Sequence, residues 1–226
     1  MDNKVPIRFF TVTFLWSWLF WLPFVLAGAG IIDLGDAGAA LRMPVLIIGA
    51  FGPAAGAWYS IRTLRGKGAF RRFMKSFTDL RFGWKVWSAI ILIPGIINLA
   101  AWYLPELAGH ERLPMLLPGL YAFPVMWLVM VFLGGGQEEI GWRGYIMPIL
   151  ESRYGLWLGN IILGVVWAVW HIPLWFIPGT SQVYFPFVAF TIGLIGMSFF
   201  FSWVIKASGG RPFSGLVVHG TINAFI

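Results

Sequence analysis

FPFVAFTIGLIGMSFFFSWVI, residues 185–205, is a run of twenty-one residues without a single charge. At about 1.5 Å of rise per residue it makes a helix of roughly 30 Å, the thickness of a bilayer's hydrocarbon core. Comparable apolar runs occupy 9–32, 43–61, 86–104, 114–133, 157–177 and 212–226, with a shorter amphipathic piece at 138–150. The whole chain of 226 residues is 59% hydrophobic and only 11% charged, with a mean hydropathy of +0.80. Soluble domains carry about 25% charged residues. The reading is an all-α polytopic membrane helix bundle of about seven to eight transmembrane segments, in one membrane-embedded domain over 1–226. The piece at 138–150 is too short for a comfortable crossing and is expected as a half-length helix. The last segment ends at Ile226, three residues after Asn223, and the expectation is that the natural chain is longer.

Charge sets the orientation. The formal net charge is +7, and eight of the sixteen Lys and Arg residues fall between Arg62 and Lys85. Basic residues between membrane helices favour the cytoplasmic side and contact anionic headgroups. The N-terminus and the 62–85 loop are therefore expected in the cytoplasm. Asp33, Asp36 and Arg42 read as part of an outer loop. The compact chain reads as a bacterial plasma-membrane protein whose surroundings are lipid, and no nucleic-acid motif is present. There is no cysteine, which excludes thiolate nucleophiles, disulfides and Cys-ligated metal.

Ionisable groups inside apolar helices are expensive, about 2.5–3.5 kcal/mol each on insertion scales, and mark function by default. They are few here: Glu138, Glu139, Arg143, His171 and His219. On a helix Glu139 and Arg143 share a face at i,i+4, whereas Glu138 is rotated away. Glu139 is thereby assigned to Arg143, and Glu138 is left for a proton or a water. Gly134, Gly135 and Gly136 upstream allow close backbone approach, and the exposed amides of the new helix favour a carboxylate. Trp167 lies one turn before His171 and can pack on its ring, while Pro173 should kink that helix beside the histidine. By rise along their helices, both His171 and His219 fall in the middle third of the bilayer. His219 and Asn223, four apart, can donate toward one point, as stabilising developing negative charge requires. Each cluster alone is equally well read as polar glue between helices. Asn98 reads as interhelical glue, and Ser202 and Thr191 lack a neighbouring base.

Three ordered patterns, Glu138-Glu139-x-x-x-Arg143, Trp167-x-x-x-His171 and His219-x-x-x-Asn223, resemble the signatures of the CPBP family. That family comprises intramembrane proteases related to the CAAX prenyl endopeptidase and to bacteriocin-processing and immunity proteins. The resemblance covers about 134–226, with Trp167 standing where Phe is more usual. It implies Glu138 as general base assisted by His171, His219 and Asn223 as carbonyl-polarising groups, and Glu139, Arg143 and Trp167 in support. It leaves open whether Glu138, His171 and His219 hold Zn2+ or another divalent metal, or activate water without one. The function expected is endopeptidase cleavage of a peptide or protein substrate near the cytoplasmic membrane face. The alternative is a non-catalytic bacteriocin-immunity or peptide-binding membrane protein. A transporter is disfavoured because the polar groups lie in one half of the chain, without the inverted repeats of that class.

Overall fold

The computed structural model describes residues 6–111, 119 and 121–225. Residues 114–118 and 120 of the expected segment 114–133, and Ile226, lie outside them. The described residues form helices and turns without a strand: α1 Ile7–Gly28, α2 Gly35–Ala50, α3 Gly52–Arg65, α4 Lys67–Lys75, α5 Trp84–Leu107 and α6 Phe123–Phe132. After these come α7 Glu139–Gly141, α8 Met147–Trp170, α9 Phe187–Ala207 and α10 Phe213–Phe225. Five helical stretches are long and apolar enough to cross a membrane: Ile7–Gly28, Gly35–Arg65, Trp84–Leu107, Phe123–Phe176 and Phe187–Ala207. The protein is an integral membrane helix bundle.

The second segment departs from expectation. Instead of one helix over 43–61, α2 starts at Gly35 and α3 follows after the single residue Phe51. Pro53 has no N–H to give to the carbonyl of Gly49 four residues back. That carbonyl instead accepts the Ser17 hydroxyl of α1 at 2.7 Å. Trp16 and Trp21 of α1 donate to the Ile48 and Leu46 carbonyls, so side chains of α1 satisfy acceptors around the break in the apolar surround. A Cβ at Gly52 would overlap Ser17, and one at Gly56 would overlap Thr13. Gly52, Gly56 and Ser60 thus form the small-residue stripe on which α1 packs, the close approach typical of membrane helices. The early start of α2 also places Arg42 inside a helix rather than in a loop.

The stretch around 138–150 is also more broken than a single half-helix. It runs through a 3-10 turn (Gly136–Glu138), α7, a π-helical turn (Trp142–Ile146) and then α8. Within α8 the backbone reverses at Gly155, at φ 77° and ψ 171°, a conformation open to glycine alone. A Cβ on Gly159 would lie 3.1 Å from Glu151 N and 3.2 Å from Leu150 C. In a straight helix, eight residues would separate them by about 12 Å. The two limbs of α8 therefore fold against each other, joined by Asn160 to Glu151 (3.4 Å) and by Ser198 of α9 to Asn160 (3.0 Å).

The end of the bundle carrying residues 62–85 is tied together by Asp79. Its carboxylate accepts Arg81 at 2.8 and 2.9 Å and pairs with Arg211 at 3.0 Å. The Arg81 hydrogen bonds, with Arg211 beside them, hold the Asp79 carboxyl well below the usual carboxylate range. Asn98 bonds the Pro94 carbonyl of its own helix at 2.9 Å, satisfying an acceptor within α5 rather than linking two helices. The central helix is α10, buried along nearly its whole length.

Gly155→Ala should lower the melting temperature in detergent by several degrees, because a side chain strains that backbone although the space beside it is open. Gly196→Ala, in the regular part of α9 and equally unobstructed, is the control and should leave the melting temperature within about a degree or raise it slightly. Equal melting of both variants would contradict the assigned turn.

Candidate active site

Gly134, Gly135 and Gly136 follow α6 and let the chain pass between α6 and α10 with almost no clearance. A Cβ at Gly136 would overlap the Val131 carbonyl and come within 2.7 Å of the Leu216 carbonyl. Gly135 sits at φ 126°, where a Cβ would overlap Asn223 and lie 2.7 Å from His219 Nε2. The glycine run therefore lies directly against the His219–Asn223 pair, and Asn223 Nδ2 donates to the Gly134 carbonyl at 2.6 Å. The free amide of Gly135 is taken by the Gln137 side-chain oxygen at 2.9 Å. A neutral amide thus fills the place where a carboxylate was expected.

Beyond this turn the two glutamates part. Glu139 is completely buried and pairs with Arg143 at 3.0 Å, as its helical spacing predicts. The same oxygen, Oε1, also holds His219 Nδ1 at 2.8 Å, a contact across 80 positions of sequence that spacing does not reveal. The Arg143 guanidinium lies over Trp167 at 4.4 Å and over Phe201 at 4.7 Å. Two aromatic faces thus share with Glu139 the stabilisation of a cation that has no water around it. Phe201 was not singled out in the sequence, where it is one of three consecutive phenylalanines with nothing to set it apart.

Glu138 is buried too, but its carboxyl borders a cavity, and its Oε2 accepts Trp167 Nε1–H at 2.9 Å. Trp167 was expected to pack on His171, and their rings are 5.9 Å apart. Its indole N–H adds the bond to Glu138, and its ring makes a closer edge contact with His219 at 5.3 Å.

His171 does not sit mid-helix beside a kink. The α-helix ends at Trp170, His171 caps it, and a 3-10 turn over Ile172–Phe176 follows. Pro173 has no N–H to offer the carbonyl of Val169 and so ends the α-helix. The last-turn acceptors are met otherwise: His171 Nδ1–H reaches the Trp167 carbonyl at 2.8 Å and Trp18 reaches the Trp170 carbonyl at 3.0 Å. His171 is therefore at a helix end, and only His219 is at mid-helix. In both imidazoles Nδ1 is engaged, which leaves Nε2 for chemistry.

Glu138, His171, His219 and Asn223 line one cavity of about 700 Å³. Trp21 of α1, Met43, Leu46 and Ile47 of α2, and Gly179, Ser181 and Gln182 line it as well. The last three precede α9, whereas Lys206 at the other end of α9 lies near Arg211 in sequence and pairs with Glu151. Among the described residues no group of three or more His, Asp or Glu is placed to hold a metal ion. Glu138 keeps one oxygen, and His171 and His219 each keep Nε2, clear of these protein hydrogen bonds.

Residues 120–225 match the family model described as type II CAAX prenyl endopeptidase Rce1-like. A curated protein from Methanococcus maripaludis, CAAX prenyl protease 2, is 29% identical over 106 residues. That alignment covers 44% of this chain and 38% of the relative's length.

Removing one partner from a buried ion pair strands the other, at a cost of about 3–5 kcal/mol. Arg143→Ala should therefore lower the detergent melting temperature strongly. Arg143→Lys, which keeps the charge but loses the flat surface held between two rings, should fall between. An Arg143→Ala protein melting like the parent would show that the pair does not brace the bundle.

Proposed function

From the match of residues 120–225 to a CAAX-endopeptidase-like family model, we propose that the chain belongs to the CPBP family of intramembrane proteases and is an endopeptidase using a glutamate-activated water. The observation that carries this reading is that a carboxylate, two imidazoles and an amide border one cavity inside an apolar bundle.

In this mechanism Glu138 takes a proton from water through the oxygen not bonded to Trp167. The water oxygen adds to the carbonyl carbon of the scissile peptide bond. The Trp167 N–H fixes the carboxyl's orientation, and His171 Nε2 offers a second acceptor to the same water. His219, held through Nδ1–H by Glu139, acts as the doubly protonated imidazolium, whose Nε2–H donates to the developing oxyanion. Asn223 gives one amide hydrogen to Gly134 and has the other for the same oxygen. Collapse of the tetrahedral intermediate breaks the C–N bond, and the departing amine takes the proton from Glu138. Donors already fixed in a dry site act on the transition state with little reorganisation.

The test is cleavage of a pool of lipidated peptides by the purified protein in nanodiscs, read by mass spectrometry. Glu138→Gln should cut the rate by about 10²–10⁴, and Asn223→Ala by about 10²–10³, with each variant melting near the parent. If Glu138→Gln cleaves at the parent rate, the protein is not an enzyme of this kind. Peptide binding without cleavage by the parent would favour the peptide-binding alternative.

A further inference from the structure

Arg42 is the unexplained charge of this bundle. It lies seven residues into α2, about 10 Å along the helix axis, where an ionisable side chain needs a partner. None of the described residues supplies one. Its Nε is buried without a hydrogen-bond acceptor. Asp33 spends an oxygen on the Gly35 amide at 2.8 Å, and no ion pair joins it to Arg42. Asp36, six residues before Arg42, projects about 120° away around the helix.

Arg42 borders two cavities, one of about 530 Å³ that Asp33 also lines and the cavity of the candidate active site. Arg42, Leu46 and Ala50, spaced i, i+4 and i+8, all line the latter, and Arg42 is its sole Lys or Arg among the described residues. Gly179 lies against the guanidinium, where an added Cβ would be 2.8 Å from one terminal nitrogen and 3.1 Å from the other. A cation backed by glycine and fronted by a largely apolar cavity is a receptor for an anion supplied from outside. Every peptide with a free C-terminus carries one, and the planar guanidinium matches a carboxylate with two parallel hydrogen bonds.

We propose that Arg42 is a specificity-determining residue that binds the α-carboxylate of the peptide to be cut. The proposal rests on the endopeptidase reading and names how the substrate is held. The reach is adequate. Arg42 and Ala50 are about 12 Å apart along α2, which three to four extended residues cover. Just past Ala50 the Pro53 carbonyl abuts Gly141, near Glu138 in the chain. A carboxylate seated at Arg42 therefore places a bond a few residues upstream beside the candidate catalytic groups.

The experiment compares one pool of lipidated peptides prepared as free acids and as C-terminal amides, with parent, Arg42→Gln and Arg42→Lys proteins in nanodiscs. The parent should prefer acids by about ten- to hundredfold in kcat/KM, the range of a charge-assisted pair. Arg42→Gln should bring the acid-to-amide ratio close to one, with the loss falling on KM rather than kcat. Arg42→Lys should keep part of the preference. Equal cleavage of acids and amides by the parent overturns the proposal while leaving the endopeptidase reading standing. Absence of cleavage of either pool overturns the endopeptidase reading itself. The Arg42 proposal also fails if anionic lipid raises the melting temperature of the parent but not of Arg42→Gln while the acid preference persists. In that case Arg42 is a headgroup site.

Discussion

One carboxylate oxygen, Glu139 Oε1, holds both Arg143 and His219, and the rest of the site depends on that shared contact. The pair with Arg143 joins two turns of the short helical stretch after α6. The bond to His219 ties this stretch to α10. Both charged side chains are completely enclosed, so neither can turn to solvent, and the Trp167 and Phe201 rings close the remaining sides of the guanidinium. Trp167 then passes the restraint on, because the indole that covers Arg143 also fixes the Glu138 carboxyl. A set of buried ions that adds little net stability thus determines where a separate carboxyl points.

Backbone features serve the same end. Gly135 lets the chain approach His219 and Asn223 more closely than any side chain would permit, and Gly136 does the same against the Val131 and Leu216 carbonyls. Proline endings do comparable work. Pro53 releases the Gly49 carbonyl to Ser17, and Ser17 in turn accepts the Trp170 indole at 2.8 Å. A single hydroxyl thereby joins α1 to the break between α2 and α3 and to the end of α8, next to His171.

Local relations were readable from residue order. The Glu139–Arg143 pair follows from four-residue spacing, and the apolar runs follow from composition. Relations between distant segments were not. Nothing in periodicity joins Glu139 to His219, or selects Phe201 from three adjacent phenylalanines. Two departures have specific causes. Pro173 ends a helix, where the apolar run on both sides of it suggests a kink within one. The stretch from Gly35 to Ala40 is short of bulky apolar residues and so looks like loop, yet its alanines favour helix strongly. That helix is what makes Arg42 notable, since a cation in a loop asks for no explanation and one inside a membrane helix does.

Ser17 also shows how the molecule is partitioned. The groups with chemical potential at the cavity all come from the stretch that matches a known family, residues 120–225. The wall from Trp21 to Ala50 comes from outside that stretch and is docked onto it by Trp18, which donates to the Trp170 carbonyl, and by Ser17, which accepts the Trp170 indole. Under the proposed reading, reactivity and selectivity reside in separate portions of the polypeptide. Sequence drift in α1 and α2 can retune which molecules are admitted while the reacting groups stay in place.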